Sequence, residues 1–452
     1  MPSKGPDALW SPDVELVPVG EYNPRFERPA LGPQTQWAFE RSPFWRRKLT
    51  SAGLTSGDLA SLTSLDALPF VEKGEILADQ VASPPFGEAC CVPLSEISRI
   101  HRTSGTTGRP QIVVLTARDA DDAAEAGARA FWCAGVRPDD VVVHCLSYCM
   151  WSGGVTDHLC LERTGAAVIP FGVGNSSLLL QTIETFRPTS ISCTPTYLNT
   201  LADLMKKEGR TTPADTSLRV ALCGGEPGLQ DVETRRRLET TWGIRVVDAN
   251  YGMADVLSIF GSECSERNGL HFHGQEFLAF ELVDPETLRR VPIQTGAIGE
   301  IVLTTLRRQA QPLFRLRSHD MARIISVEPC ACGRSSFRFV ILGRSDDMVV
   351  VRGVNFFPES LRRLFSPHSE LTGNYQVVLR HPPPYDSLDV EVAVAESVPA
   401  EARTALAADL ERRIQQALSV RVSIAWVEAA PSVSEHKTSR LRREYAKGII
   451  DS

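Results

Sequence analysis

The sequence predicts an α/β protein with a large N-terminal domain of mixed, largely parallel sheets flanked by helices, and a small α+β C-terminal domain. Three observations predict this class. Short β-branched runs alternate with helix-length spacers from residue 111 to about residue 250, the runs come closer together after about residue 275, and a strand–strand–helix–strand segment follows Gly343. Strands separated by helices form parallel βαβ units, whereas closely spaced strands favour antiparallel pairing.

The N-terminal elements are expected in the following order. The first hundred residues are helical and irregular, with an amphipathic stretch at residues 37–52 and a break around residues 84–87. Strands of the βαβ region are then expected at residues 112–115, 141–146, 167–171, 190–194, 220–223 and 246–250.

The later elements belong to smaller sheets. Residues 277–283 and 300–305 are expected to be antiparallel strands of a small, barrel-like sheet. The C-terminal strands are expected at residues 375–379, 388–395 and 421–427. A helix precedes the last of them, and its core face is formed by residues at every fourth position, namely Leu406, Leu410, Ile414 and Leu418.

Length and composition exclude several classes of protein. The chain has 452 residues, 42% hydrophobic and 23% charged, so it can bury a large core in roughly two to four compact units and is not intrinsically disordered. Its 48 Lys and Arg against 55 Asp and Glu give a formal net charge of −7. Because the chain is mildly acidic, nucleic acid is not an expected partner, and any phosphate site is local.

No apolar run approaches the roughly 18 to 20 residues that a membrane-spanning helix requires, and residues 1–10 lack the apolar core of a signal peptide. We therefore expect no membrane partner and a cytoplasmic location. In that reducing compartment most of the 11 cysteines are expected to be small buried hydrophobic residues rather than disulfide partners.

A loop rich in hydroxyls and glycines stands directly before the strand at residues 112–115. It consists of Thr103, Ser104, Gly105, Thr106, Thr107 and Gly108. Glycines let the backbone approach a phosphate closely, and backbone N–H groups and hydroxyls donate to its oxygens. The Walker pattern Gly-x4-Gly-Lys-Ser/Thr does not occur here. On its own, this segment could equally well be a flexible surface turn as a phosphate-binding loop.

The loop sequence TSGTTGRP resembles the phosphate-binding loop of the adenylate-forming superfamily of acyl-CoA synthetases, peptide-synthetase adenylation domains and luciferases. Further motifs of that superfamily are matched in order by GGEP at 224, YGMAD at 251, RSHD at 317 and GRSDD at 343. The phenylacetate-CoA ligase branch is the most similar, through SPFWRRKL, LPFVEKGEI, SGGVTDH, TPTYL and GRSDDMVVVRGVNFFP. The resemblance extends over about residues 40 to 445 and implies the two-domain fold of these enzymes.

The resemblance implies an ATP site. Besides Thr103 and the rest of the loop, its residues are expected to be Gly224, Gly225, Glu226, Pro227, Tyr251, Gly252, Met253, Asp320 and Arg344. Tyr251 is expected to stack on adenine, and Asp320 to accept hydrogen bonds from the ribose hydroxyls. Asp255 replaces the family's glutamate and is expected to hold Mg²⁺ against the ATP phosphates. A core tyrosine, a strand-end aspartate and a helix N-cap are the respective alternatives.

The resemblance also implies a mobile C-terminal domain. The predicted domains are residues 1–343 and residues 344–452, with the hinge at Asp346. Lys437 is expected to swing in and neutralise charge on the α-phosphate during adenylate formation. Rotation about the hinge then exchanges Lys437 for the Gly353 face, where a thiol channel forms. The alternative for Lys437 is a solvated surface lysine.

The implied reaction joins a carboxylic acid to a thiol at the expense of ATP. The acyl pocket is expected to contain Tyr148, Trp151, Gly153, Gly154, Tyr197 and Ala221. Glycines beside aromatic rings form a slot for a flat group, which favours an aryl or arylacetic acid. The acceptor is expected to be coenzyme A, and the alternatives are a carrier-protein phosphopantetheine thiol, an amine, or a binding protein without turnover. Possible protein partners are an acyl carrier protein and a second copy of the chain.

The last expectation is a structural zinc site. Its four ligands are expected to be Cys264, His271, Cys330 and Cys332. Three thiolates and one imidazole form a closed tetrahedral set suited to Zn²⁺. A Cys-x-Cys pair is a weaker signal than Cys-x2-Cys, and His273 could replace His271. Some phenylacetate-ligase-like proteins carry a similar arrangement; the alternative is buried thiols and surface histidines.

Overall fold

The computed structural model describes residues 9–103, 110–210, 212–226, 229–352, 354–368, 370–395, 398–428 and 440–445. The chain divides into two compact units. The first comprises Met1–Leu229, Leu238–Ser318 and Arg323–Val340. The second comprises Gln230–Arg237, His319–Ala322 and Ile341–Ser452. Within the described ranges no helix is both long and apolar enough to span a membrane.

Helices precede and connect the strands of the first unit. The last of these helices, α10, begins in residues of the second unit and ends in the first unit. They are α1 (Pro12–Glu15), α2 (Arg28–Arg41), α3 (Pro43–Ser51), α4 (Ser56–Ala60), α5 (Lys73–Ala82), α6 (Ala117–Ala134), α7 (Ser152–Arg163), α8 (Ser176–Phe186), α9 (Pro195–Lys207) and α10 (Val232–Trp242). Short 3₁₀ or π-helical turns lie at Val19–Glu21, Asn23–Glu27, Leu65–Ala67, Leu94–Glu96 and Pro213–Asp215.

The amphipathic stretch at residues 37–52 is divided between two helices. Helix α2 ends at Arg41, and α3 begins at Pro43. Pro43 has no N–H to continue α2, and Ser42 takes an extended backbone conformation. The Ser42 hydroxyl accepts a hydrogen bond from the Trp45 N–H at 3.1 Å and so caps α3. Periodicity alone did not show this break.

Most strands of the first unit belong to one sheet. Strands β1 (Arg99–Arg102) and β2 (Ile112–Leu115) form a separate antiparallel pair. The others are β3 (Val141–His144), β4 (Ala167–Pro170), β5 (Ser190–Cys193), β6 (Val220–Gly224), β7 (Arg245–Met253), β8 (Leu257–Ser262), β9 (Leu270–Phe272), β10 (Leu278–Val283), β11 (Arg290–Val291), β12 (Ile298–Thr305), β13 (Leu316–Ser326) and β14 (Arg338–Arg344).

These twelve strands are hydrogen-bonded in the order β11-β10-β12-β13-β14-β9-β8-β7-β6-β5-β3-β4. Strands β3 to β7 pair in parallel, as predicted for the βαβ region. Strands β10 and β12 pair antiparallel, also as predicted, but they continue the same sheet instead of starting a separate one. The strand predicted at residues 112–115 does not join the parallel set, because the short segment after β1 makes a hairpin and not a crossover.

The second unit is the small α+β domain that was predicted. Its elements are β15 (Val349–Val351), β16 (Val354–Phe356), a 3₁₀ turn (Pro358–Leu361), α11 (Arg362–Phe365), β17 (Leu371–Leu379), β18 (Leu388–Val394), α12 (Ala400–Leu418), β19 (Val422–Val427) and β20 (Leu441–Arg443). Its main sheet has the order β19-β18-β17-β20. Leu410 and Ile414 of α12 are fully buried against this sheet, so the predicted core face of the helix is confirmed.

Candidate active site

The β1–β2 pair supports the predicted phosphate loop. At its base the Thr103 N–H donates to the Gln111 carbonyl at 2.9 Å, and the Gln111 N–H donates to the Thr103 hydroxyl at 3.1 Å. Ser104, Gly105, Thr106, Thr107 and Gly108 lie outside the described residues. The backbone N–H of Arg102 donates to the Met150 carbonyl at 2.9 Å, which places the base of the loop beside the turn that leads into α7.

The predicted adenine-side loop follows β6 directly. A Cβ on Gly224 would overlap the Asn250 side chain, so only glycine fits there. Gly225 has a φ of +77°, in the left-handed region that favours glycine. The Glu226 carboxylate accepts hydrogen bonds from the Thr196 hydroxyl at 2.8 Å. Pro227 lies outside the described residues.

Tyr251 lies on β7 among aromatic side chains of the neighbouring strands. Its ring centroid is 5.2 Å from that of Phe260 and 5.6 Å from that of Phe339, both in edge-on geometry. A Cβ on Gly252 would overlap the Ser258 carbonyl oxygen, so glycine allows β7 and β8 to approach closely here. Met253 ends β7 as a buried residue. Tyr251 itself is half-buried, with its ring orientation set by packing.

Asp255 is buried in the tight connection between β7 and β8. It therefore does not cap a helix, which was the alternative to a functional role. Its Oδ2 lies 3.0 Å from Nζ of Lys73, a half-exposed side chain at the start of α5. Within the described part of the chain its Oδ1 is buried without a hydrogen-bond partner. Such an oxygen is suited to a cation, because an unsatisfied buried acceptor is costly.

Sequence reasoning missed Lys73 as part of this site. The only available signal was its place in LPFVEKGEI, one of the segments that resembles the phenylacetate-CoA ligase branch. Nothing in the spacing of that segment connects it to YGMAD, because the two segments meet only in the folded chain, through the ion pair of Lys73 with Asp255.

Asp320, Arg344 and Asp346 form one charged group in the second unit. The Arg344 guanidinium donates to both oxygens of Asp346, at 2.9 and 2.6 Å, and to Oδ1 of Asp320 at 3.4 Å. Burial raises the pKa of the Asp346 carboxyl, but the hydrogen bond and charge of Arg344 outweigh it and the net pKa is lowered. The predicted ribose ligand and the predicted hinge residue thus share one cation.

The predicted acyl residues cluster around the start of α7. A Cβ on Gly154 would overlap the Ser147 carbonyl, whereas a Cβ on Gly153 would make ordinary contacts, the nearest at 3.5 Å. Trp151 precedes the helix and lies under the Arg102 guanidinium, 5.9 Å from the ring centroid. The Tyr148 hydroxyl is 3.0 Å from Nδ1 of His158.

The other two predicted acyl residues share one hydrophobic cluster. Tyr197, in the first turn of α9, packs against this cluster, and its hydroxyl lies 3.0 Å from the Ser176 hydroxyl. Ala221 on β6 is fully buried within it. Burial raises the pKa of Tyr197, so its phenol stays protonated near neutral pH.

The four predicted zinc ligands come together although they are distant in sequence. The candidate ligand atoms of Cys264, His271, Cys330 and Cys332 all lie within 4.8 Å of one another. The Cys264 and Cys330 sulfurs are 3.8 Å apart, and the Cys332 sulfur is 3.5 Å from Nε2 of His271. A tetrahedron with Zn–S of about 2.3 Å and Zn–N of about 2.0 Å has edges of about 3.8 and 3.5 Å, and these two distances match those edges.

The surroundings of the cluster match those of a metal site. Nδ1 of His271 is 3.0 Å from the Ser336 hydroxyl, which leaves Nε2 facing the sulfurs. The guanidinium groups of Arg334 and Arg338 each donate to one sulfur, at 3.7 and 3.8 Å. Hydrogen bonds from Cys264 and then His271 lower the pKa of the Cys332 thiol, which favours the thiolate that binds metal. His273 instead bonds the Ser262 hydroxyl.

Comparison with known proteins decides the family. The model of the AMP-binding enzyme family matches residues 51–306, more than half of the chain, and that of the AMP-binding enzyme C-terminal domain matches residues 353–443. The chain belongs to the AMP-binding enzyme family. The predicted adenylate-forming superfamily is thereby confirmed.

The relatives of this AMP-binding enzyme also confirm the predicted branch. Phenylacetate-coenzyme A ligase of Thermus thermophilus is 34% identical over 391 residues, covering 86% of this chain and 85% of the relative. The Escherichia coli ligase of the same name is 32% identical and covers 86% of each chain. A crystal structure of 2-hydroxyisobutyryl-CoA ligase with 2-HIB-AMP is 30% identical, with a TM-score of 0.84 over 99% of this chain and 94% of that one.

Proposed function

We propose that this protein activates an aromatic carboxylic acid with ATP, as an acyl adenylate, and transfers the acyl group to coenzyme A. The observation that carries the proposal is the match along 99% of the chain to a CoA ligase that holds its acyl adenylate. The relatives named phenylacetate-CoA ligase support the same reaction class. ATP, coenzyme A and a small acid are then the partners, and a cytoplasmic location fits these substrates.

The reaction has two steps on one enzyme. In the first, a carboxylate oxygen of the acid attacks the α-phosphorus of ATP and pyrophosphate leaves with the electron pair of the broken P–O bond. In the second, the thiol sulfur attacks the acyl carbonyl, AMP leaves, and the thiol proton is released to solvent. The first step needs alignment and neutralisation of phosphate charge, not a nucleophile from the protein.

Asp255 is the residue that would hold Mg²⁺. One of its oxygens is fixed by Lys73 at 3.0 Å, and the other is buried without a partner among the residues described. Mg²⁺ prefers carboxylate oxygen and is commonly held by one or two carboxylates together with substrate phosphates. When bound, the ion supplies positive charge that offsets the phosphates. Lys73 adds a second positive charge at the same place and orients the carboxylate.

The remaining assignments follow the family motifs. Asp320 and Arg344 are proposed to bind ribose and phosphate, and Asp346 to be the hinge between residues 1–343 and residues 344–452. Lys437, the proposed catalytic lysine, lies outside the described residues. The Arg344 ion pairs with both carboxylates support a link between nucleotide binding and the hinge.

Pyrophosphate exchange over a panel of carboxylic acids tests the proposal. Wild-type protein should exchange labelled pyrophosphate into ATP only with an accepted acid, and aryl and arylacetic acids should give the highest rates. Mass spectrometry of the products, with and without coenzyme A, then identifies the acceptor. Adenylate that accumulates and never becomes a CoA thioester would favour the alternative, transfer to a carrier-protein thiol or an amine.

Trp151→Ala is expected to broaden the range of acids. The residue stands at the entrance to α7 beside Gly153 and Gly154, so removing the indole should enlarge the acyl side of the site. We expect KM for bulkier acids to fall by about tenfold relative to small ones. KM for ATP serves as the internal control and should not change. A shift in ATP dependence without a shift in acid selectivity would place Trp151 elsewhere.

Asp320→Ala is expected to weaken ATP binding by about 10- to 100-fold, since hydrogen bonds to a charged group contribute about 1.5–3 kcal/mol. The ribose contact exists in ground and transition states alike, so KM for ATP should rise more than kcat falls. Asp386→Ala, which removes a carboxylate whose side chain is 85% exposed in the same unit, is the control. Equal ATP constants in the two variants would remove Asp320 from the site.

A structural zinc is the second proposal. The tetrahedral spacing of Cys264, His271, Cys330 and Cys332, and the outer hydrogen bonds around them, support it. All four ligand positions come from the protein, so the metal would stabilise the fold and not bind substrate.

A further inference from the structure

The buried Asp157 side chain on α7 connects the acyl side of the candidate site with its adenine side. Asp157 is fully buried, and its Oδ1 accepts a hydrogen bond from the Ser258 hydroxyl at 2.6 Å. Its Oδ2 accepts a second hydrogen bond from the Asn250 side-chain amide. Ser258 lies on β8, and Asn250 lies on β7 directly before Tyr251. Asp157 belongs to the SGGVTDH segment, but none of these three residues is assigned a role in the proposed function.

On the acyl side, Asp157 belongs to the helix turn that follows the predicted pocket residues. A Cβ built on Gly153 would lie 3.5 Å from Oδ2 of Asp157, so the carboxylate packs beneath that glycine. His144 holds the same turn from below, because its Nε2 is 3.0 Å from the carbonyl oxygens of both Gly153 and Gly154. Since both partners are acceptors, Nε2 carries the proton, and Nδ1 accepts from the Ser192 hydroxyl at 3.0 Å.

On the adenine side, Asn250 supports the glycine loop. A Cβ on Gly224 would overlap the Asn250 side chain, so the backbone of the loop rests on that side chain. Asn250 also fixes the start of the YGMAD segment, since Tyr251 is its neighbour in the chain. The Asn250 amide is oriented by Asp157, because its N–H group donates directly to Oδ2 of that buried side chain.

We propose that Asp157 is a positioning residue that couples the acid site to the adenine site through Asn250. The hydrogen bond between the Asp157 and Asn250 side chains links the helix that bears the acyl turn to the strand that bears the adenine motif. Ordering of either site by its ligand therefore favours the arrangement that the other ligand needs, and the effect is reciprocal. The inference rests on the proposed function, because it assigns the two ends of the link to the two substrates.

Steady-state pyrophosphate exchange tests the coupling. KM for the acid is measured over a range of ATP concentrations, and KM for ATP over a range of acid concentrations. In the wild type each constant should fall as the other substrate is raised. Asp157→Ala and Asn250→Ala should each raise both constants by about tenfold, the size of one lost hydrogen bond, and should abolish their mutual dependence.

Two further variants separate positioning from a general loss of stability. Ser258→Ala removes the other hydrogen bond of the same carboxylate, so it should lower the melting temperature yet keep the mutual dependence. The double variant Asp157→Asn with Asn250→Asp swaps the two side chains, so an amide donor again faces a carboxylate acceptor at nearly unchanged volume. It should recover the coupling of the wild type. This double variant decides the matter even where an alanine variant does not fold.

The outcomes are distinct. Loss of coupling in the alanine variants with recovery in the exchanged pair supports the inference. Unchanged constants in folded Asp157→Ala and Asn250→Ala, a change in one substrate's constant only, or a folded exchanged pair without coupling would overturn it. A wild type that exchanges no pyrophosphate with any acid would refute the proposed function, and this inference with it.

Discussion

Lys437→Ala is expected to slow adenylate formation by about 10²- to 10³-fold, the size of effect seen when one preorganised donor to a developing negative charge is removed. In the first step, negative charge shifts onto the α-phosphate oxygens and the leaving pyrophosphate, and a lysine ammonium offsets it. The proposed rotation about Asp346 removes Lys437 from the site before the second step, in which AMP leaves. Acyl transfer from a preformed adenylate is therefore expected to survive the substitution.

Single-turnover measurement of the two half-reactions checks this expectation. Pyrophosphate exchange reports the first step, and thioester formation from synthetic acyl adenylate and coenzyme A reports the second. Lys447→Ala is the control, because it removes another lysine of the C-terminal segment at a position outside the family motif. Equal losses in both half-reactions would contradict the role assigned to Lys437, and a loss in neither would place the catalytic cation elsewhere.

The motifs of the nucleotide site that could be predicted are those whose residues are consecutive in the chain. GGEP and YGMAD each occupy the end of one strand, so a local resemblance is enough to locate Gly224 and Tyr251. Lys73 and Asp157 could not be found in this way. Each acts through a partner on a distant segment, and only the folded chain brings the pairs together.

Two details of the fold could not be predicted from the sequence for a similar reason. Residues 112–115 have the pattern of a buried strand. Only a short segment separates this strand from β1, and the two strands pair antiparallel. Hydrophobic periodicity also continues through Ser42, where the backbone chemistry of Pro43 ends one helix and starts another. The hydrophobic pattern of the sequence indicates which residues are buried. The length of a connection and the position of proline decide how the elements are joined.

Cys330→Ser is expected to abolish zinc binding and to lower thermal stability sharply. A structural zinc contributes roughly 10–16 kcal/mol of apparent binding free energy in small domains, and that binding is coupled to folding. With one thiolate gone, the remaining ligands hold the ion far more weakly. The buried Arg338 guanidinium also loses its sulfur acceptor, because it donates to Cys330.

Loss of the Cys264–His271–Cys330–Cys332 cluster should also destabilise the N-terminal segment. The Arg334 guanidinium, two residues after Cys332, donates to the buried carboxylate of Glu15 at 2.7 Å. The Ser335 N–H donates to the Glu15 carbonyl at 2.9 Å. Because the proposed metal would fix the turn that carries Arg334, its removal should loosen the attachment of α1. Limited proteolysis of chelator-treated protein should therefore cut first near the N-terminus.

Elemental analysis and melting curves together decide the zinc proposal. Protein purified without chelators should contain about one zinc per chain, and Cys330→Ser should contain none and melt at a lower temperature. Cys193→Ser is the matched control, because it alters an equally buried thiol in another cluster and should retain the metal. Serine introduces a buried hydroxyl at both positions, so zinc content is the measurement that separates the two variants. A metal-free wild type, with a melting curve that zinc does not change, would show that the four side chains pack together as thiols and imidazole alone.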